Sequence, residues 1–182
     1  LGALTGVFVE EHGGGQDPLF GLSAAFLVEQ YETSSPRDMG AWDSDAFPIV
    51  LDSGTSRSIT PVFSDLKNPR PFVSDLQGVG TGRITHVGAI SYEVLTDTGR
   101  TVTLDDEECY YCADAPYRLF CPHSWKQQLM ARGEPEGEGA SFMIDPSADS
   151  AYLLTWDGGK IVVTAPLDTR LNLPILYGKA SY

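Results

Sequence analysis

The sequence predicts an all-β fold with one short helix. Short runs rich in β-branched and aromatic residues recur along the chain, each bounded by Gly, Pro, Asp or Asn turn signals. Only the stretch after Pro122 carries both a helix start and a helix stop. Hydrophobic residues make up 42% of 182 residues, enough for a full core and too many for a disordered chain.

Residues 1–45 read as an arm and linker, with a Gly-rich break at Gly13 to Gly15, a short apolar segment and the polar run ETSSPRDMGAWDSD. The core is expected over residues 46–132. It opens with FPIVL, Phe47 to Leu51, a short continuous apolar run with β-branched residues that fits a buried strand better than a five-residue helix. Further strands are expected at Arg83–Ile90, Ser91–Leu95, Arg100–Leu104 and Glu108–Cys112. The helix begins at Pro122, a residue suited to the first helical position, and closes at Gly133 with Arg132 in its last turn. Residues 133–182 form a C-terminal β extension: after the connector GEPEGEGA come SFMID, AYLLTW, KIVVTAPL and LPILYG, with a hairpin turn at Asp157 to Gly159. No internal repeat at a solenoid period is visible.

Twenty-five acidic residues against twelve basic ones give a net charge of −13, a balance that repels polyphosphate and anionic headgroups. Nucleic-acid binding by this region is not expected. The longest apolar stretch, Pro18 to Val28, is about half of what a spanning helix needs, so no membrane partner is expected either. Three cysteines fit a reducing compartment better than a disulfide scaffold, and the expected location is intracellular. A chain that opens at Leu1 with no basic n-region reads as a piece of a longer polypeptide without a signal peptide.

The most informative string is FPIVLDSGTSRSITPVF, residues 47–63. An apolar strand delivers Asp52 onto a tight turn, followed by Ser53, Gly54 and Thr55, so a carboxylate sits at a buried strand end. At average composition such a tetrapeptide arises by chance in roughly 2% of chains this long. The alternative is a plain Asx turn after a strand. About 25 residues on, QGVGTG sets glycines at 78, 80 and 82 between strand-like segments, as a mobile hairpin over a cleft requires. Its spacing is not that of a dinucleotide-binding loop, and no helix pattern follows it.

Together with WDSD before the strand, YYCADAPYRLFCP leading into the helix and the terminal WDGGKIVVTAPLDTRLNLPILY, these strings make the chain resemble the aspartic protease region of copia-type LTR retrotransposon polyproteins, over roughly residues 42–178. The resemblance implies a retropepsin-like closed barrel and an aspartic endopeptidase that processes its own polyprotein in the cytoplasmic retroelement particle. Asp52 would be the catalytic residue. Ser53 would hydrogen-bond across a homodimer beneath the active site, Gly54 would allow close approach, and Thr55 would wall the cleft. Gly78, Val79, Gly80, Thr81 and Gly82 would form the substrate-binding flap. No metal and no cofactor are implied. One aspartate per chain cannot do the chemistry, which needs two carboxylates sharing a proton, so the second would come from a two-fold partner. Where retropepsins place a Gly after the apolar pair entering the helix, this chain has Cys121 after Leu119 and Phe120. The residues from Gly133 onward are extra to a minimal retropepsin and resemble the passage toward an integrase region.

Three other constellations are weighed. Asp97-Thr98-Gly99 repeats the Asp-hydroxyl-Gly pattern, but it sits between SYEVL and RTVTL, too close to Asp52 to begin a second lobe, and reads as a hairpin tip. Cys109, Cys112, Cys121 and His123 could be drawn as a zinc site; yet CYYC lies in a strand-like stretch, where i and i+3 point to opposite faces. His12, His86 and His123 stand in unrelated contexts without a nucleophile elbow. The rival from another class is a catalytically silent relic of the same fold acting as a binding or assembly module.

Overall fold

The computed structural model describes residues 8–9, 45–77, 82–133, 141–144, 151–156, 159–168, 171 and 173–181. Among these described residues eleven strands, one 3-10 turn and one α-helix follow one another: β1 (Phe8–Val9), β2 (Phe47–Leu51), β3 (Ser58–Thr60), the 3-10 turn Phe63–Asp65, β4 (Lys67–Gln77), β5 (Gly82–Leu95), β6 (Thr101–Tyr111), β7 (Arg118–Phe120), α1 (Pro122–Ala131), β8 (Ser141–Ile144), β9 (Ala151–Trp156), β10 (Ile161–Asp168) and β11 (Leu173–Ala180). The strands are ordered β1-β4-β5-β6-β3-β7-β2-β11-β10-β9-β8, and an additional β5–β11 pairing joins β5, β6, β3, β7, β2 and β11 into a closed circuit of hydrogen-bonded neighbours.

FPIVL forms β2 with the expected bounds, and the reason for its unbroken apolar character is plain. Ile49 and Leu51 enter a core cluster with Phe120, Trp125, Leu129, Leu154 and Leu176, whereas Val50 enters a second one with Ile59, Ile84, Leu119 and Ile175. Both faces of β2 are covered, so no position is left for a polar residue. The helix also matches its sequence signals. Pro122 stands in its first turn, Gly133 just beyond it takes φ +84°, and Trp125 and Leu129 face the core.

Two expected breaks are absent. The segments 83–90 and 91–95 are one strand, β5, and 100–104 and 108–112 merge, but for Arg100 and Cys112 at the ends, into one strand, β6, running through the acidic DDEE. Alternation explains it: Leu104 and Asp106 point inward while Asp105 and Glu107 face solvent. A register shift between Gly88 and Ile90 absorbs the mismatch between the two long strands. Gly88 is required there, since a Cβ would lie 2.8 Å from the Lys67 carbonyl oxygen.

The boundary expected at 132/133 does not divide the core. β11 lies between β2 and β5, with Gly178 opposite both Phe47 and Val94. β8, β9 and β10 continue the sheet as antiparallel neighbours, and Leu154, Val163 and Ala165 pack in the same cluster as Ile49. Of the arm, Phe8 and Val9 pair with Gln77 and Leu76 of β4.

The centre of the circuit has an internal two-fold character. β2 runs parallel to β7, β3 runs parallel to β6, and β3 meets β7 antiparallel at Ile59 and Leu119. Residues 51–60 and 111–120 pass through the same succession of strand, tight turn, bend and strand. Their hydrogen bonds match: Asp52 N–H donates to the Phe120 carbonyl at 2.9 Å, and Cys112 N–H donates to the Thr60 carbonyl at 3.1 Å.

Candidate active site

Asp52 is the first residue beyond β2, where the parallel partner β7 ends at Phe120 and takes its amide proton. The chain then turns sharply. Gly54 N–H donates to Asp52 Oδ1 at 2.8 Å, and the Thr55 hydroxyl donates to the Asp52 carbonyl at 3.0 Å. The first of these is an Asx turn, the plainer of the two sequence readings of the motif. Burial separates Asp52 from a surface turn: it is 9% exposed. Among the described residues no side chain bonds its carboxylate. Burial pushes the carboxyl pKa up, and the backbone N–H groups of Gly54 and Thr55 offset this only in part. A carboxyl so placed keeps its proton to higher pH than a surface carboxyl does.

Ser53 is half-buried, and among the described residues its hydroxyl has no partner. Gly54 is half-buried beside it. Thr55 is buried, with its hydroxyl turned back into the loop and its carbonyl accepting from Cys121 Sγ at 3.0 Å. Of the expected flap, Gly78, Val79, Gly80 and Thr81 lie outside the described residues, while Gly82 opens β5 opposite Leu76 of β4. A Cβ at Gly82 would lie 2.7 Å from Cys112 Sγ, so the start of β5 packs closely on the counterpart of the Asp52 loop.

Asp97 is elsewhere. It sits in the turn joining β5 to β6, where Gly99 takes φ +77° and Gly99 N–H donates to Thr96 O. The turn expected from sequence is present, but its carboxylate is not idle: Thr164 N–H and the Thr164 hydroxyl donate to it at 2.8 and 2.5 Å, fastening β10 to the core. Cys109 and Cys112 fall in the two different core clusters. Both are buried free thiols with pKa values pushed up by burial, and so is Cys121. Cys121 caps α1: its sulfur accepts from Ser124 N–H at 3.4 Å. Among the described residues no group of three or more His, Cys, Asp or Glu could hold a metal ion. His86 stacks edge-on with Phe63, and His123 is exposed in the first turn of α1.

Sequence reasoning missed two polar clusters behind the loop. Asp65 receives Arg118 through two hydrogen bonds at 2.7 and 3.2 Å, together with the Thr60 and Tyr92 hydroxyls at 2.6 and 3.1 Å. The Arg118 guanidinium also lies 3.7 Å over the Phe47 ring. Asp106 accepts from the Ser58 hydroxyl at 2.5 Å, from Gln128 Nε2 at 2.7 Å and from Glu108 N–H at 2.9 Å. An Asp in the inward phase of an alternating strand is the signal that could have found the second.

No family model, curated protein or solved structure matches this chain. Among the described residues no helix is long and apolar enough to cross a membrane.

Proposed function

We propose that the chain is a retropepsin-like aspartic endopeptidase that processes a retroelement polyprotein, with the closed strand circuit as its barrel. One observation carries the reading: Asp52 is a buried carboxylate on a strand-end turn whose internal counterpart holds Cys112 instead of a second acid. A single copy therefore offers one carboxylate to such a reaction. In a symmetric homodimer two Asp52 side chains meet at the axis and share one proton. One carboxylate takes a proton from water as it attacks the scissile carbonyl, and the protonated partner donates to the carbonyl oxygen. An extended peptide lies along the Asp52 loop, held by strand-like backbone hydrogen bonds. The Ser53 hydroxyl, unpartnered within the described residues, is available to bond across the axis.

The test is cleavage of a peptide spanning a polyprotein junction by wild type and Asp52→Asn across roughly pH 4 to 8, alongside mass in solution. Activity is expected from a dimer with a bell-shaped pH profile, and none from the variant. A strictly monomeric protein, or full activity in Asp52→Asn, would leave the silent binding module as the better reading.

A further inference from the structure

The peptide unit between Phe120 and Cys121 does two things at once. Its carbonyl accepts from Asp52 N–H at 2.9 Å, and its N–H donates to Ser58 Oγ at 3.0 Å. Ser58 in turn donates to Asp106 Oδ2 at 2.5 Å. Cys121 reaches the same loop a second time, through its thiol on the Thr55 carbonyl, and Thr55 closes back on Asp52. The buried carboxylate of Asp106 is thus joined to the backbone of Asp52 through one hydroxyl and one peptide plane. We propose that Asp106 is a positioning residue for Asp52, acting through Ser58 and the Phe120–Cys121 peptide.

The chemistry of the acceptor explains the direction of control. An ionised carboxylate carries no proton, so Ser58 must donate to it, and the hydroxyl lone pairs are then aimed at Cys121 N–H. Gln128 and Glu108 N–H hold the other oxygen. Protonation of Asp106 removes the demand on Ser58 and releases the hydroxyl from that orientation. The titratable groups facing Asp106 are Arg57 from the loop after β2, Glu108 and Cys109 from β6, and Cys121 at the head of α1; Ser58, Ser124 and Gln128 are polar without titrating. Burial pushes the Asp106 carboxyl up, with Ser58, Gln128, Glu108 N–H and Arg57 partly offsetting it. Its protonation therefore falls at higher pH than that of a surface carboxyl.

The catalytic consequence rests on the proposed function, but the coupling itself does not, and the experiment reads both. Amide exchange is measured on the isotope-labelled full chain, wild type and Asp106→Asn, with Val94 in β5 as the internal reference. Exchange at Asp52 and Cys121 is expected to quicken about tenfold relative to Val94, the scale of one net hydrogen bond. A purely structural role would quicken all three alike, and equal ratios in folded Asp106→Asn overturn the proposal. In the cleavage assay the same variant should lose about tenfold in kcat with KM held within about twofold. If the amides respond while wild type cleaves nothing, the positioning stands and the protease reading alone fails. Should Asp106→Asn not fold, Asp52→Asn serves in its place: the Cys121 and residue-52 amide shifts must follow the Asp106 carboxyl titration, and shifts that ignore it overturn the proposal.

Discussion

Asp52 and Cys112 occupy matching points of two loops that are counterparts within one chain, each giving its amide proton to the last residue of the other loop's departing strand. The match is in the backbone alone. Asp52 faces a half-buried loop and can meet solvent, whereas Cys112 is enclosed in the core with Gly82 against its sulfur.

That difference predicts the outcome of restoring symmetry. Cys112→Asp would not create a one-chain active site, because the new carboxylate would be buried without a partner. Destabilisation of about 2 to 5 kcal/mol is expected in a denaturant titration, with no cleavage activity at concentrations where the chain is monomeric. A folded, active monomer from this variant would contradict the enclosure of residue 112.

Asp52 itself should make the protein less stable at neutral pH. A carboxyl whose folded pKa lies above its unfolded value keeps its proton longer in the folded protein. The stability it contributes is full below the unfolded value of about 4 and is lost as pH rises through the folded one. Asp52→Asn removes this loss while its Oδ1 still accepts from Gly54 N–H. The variant should therefore melt above wild type at pH 7, with the gap closing toward pH 4. A gap that widens on acidification would mean that the carboxylate is stabilised in the fold.

Arg118 and Asp65 make a different kind of pair. Their side chains are 17% and 3% exposed, the geometry is bidentate, and two hydroxyls complete the acid's shell. Removing one partner strands the other. Arg118→Met should cost about 3 to 5 kcal/mol. Arg118→Lys keeps the charge but loses the fork and the stack on Phe47, and should cost about 1 to 2 kcal/mol. Urea unfolding of both variants checks the order as well as the size.

What was legible in the sequence follows local rules. β2 and α1 declared themselves because an apolar run with both faces buried, and a proline-led helix ending at glycine, need no long-range partner to be recognised. The pairing of the loops did not, since LDSGTSRSIT and YCADAPYRLF share no residue at any of their ten positions. Their likeness lies in backbone path and in which positions are enclosed. β4 carries Pro69 and Pro71, which weaken a strand signal; the structure accommodates them where its pairing with β5 slips register. The site was half legible. Asp52 stands out by its motif, while Asp106 is one acid in a run of four, distinguished only by a strand phase that tertiary packing sets.

Asp97 shows the same limit from the other side. Its turn was legible, but its two bonds to Thr164 depend on a strand about 65 residues later. Asp97→Ala should loosen β10 and cost about 1 kcal/mol, since the acceptor is exposed and water replaces it in part. Asp97→Asn should cost less, because its carbonyl can still accept from Thr164 N–H. Neither variant should change cleavage; loss of activity in Asp97→Asn with Asp52 intact would mean that the wrong aspartate carries the chemistry.

The closure of the sheet makes the last prediction. β11 is held on one side by β2 and on the other by β5, and Gly178 pairs with a residue of each. A Cβ there would lie 2.8 Å from Ile49 Cδ1 and 3.0 Å from the Glu93 carbonyl oxygen. Ile49 is fully buried and the carbonyl is backbone, so neither can move aside cheaply. Gly178→Ala is expected to cost about 1 to 3 kcal/mol, and Gly178→Val more, by pushing β11 out of register. Because β2 leads straight into Asp52, the damage should not remain a matter of stability. Exchange of the Tyr177 and Gly178 amides should quicken first, then that of Asp52, as the edges of β2 and β5 lose their partner. Freed strand edges pair with other chains, so the valine variant should also aggregate at concentrations where wild type stays dispersed. A Gly178→Val protein with wild-type melting and unchanged exchange at Asp52 would show that β11 is an accessory strand and that the Asp52 loop holds its shape without the closed circuit.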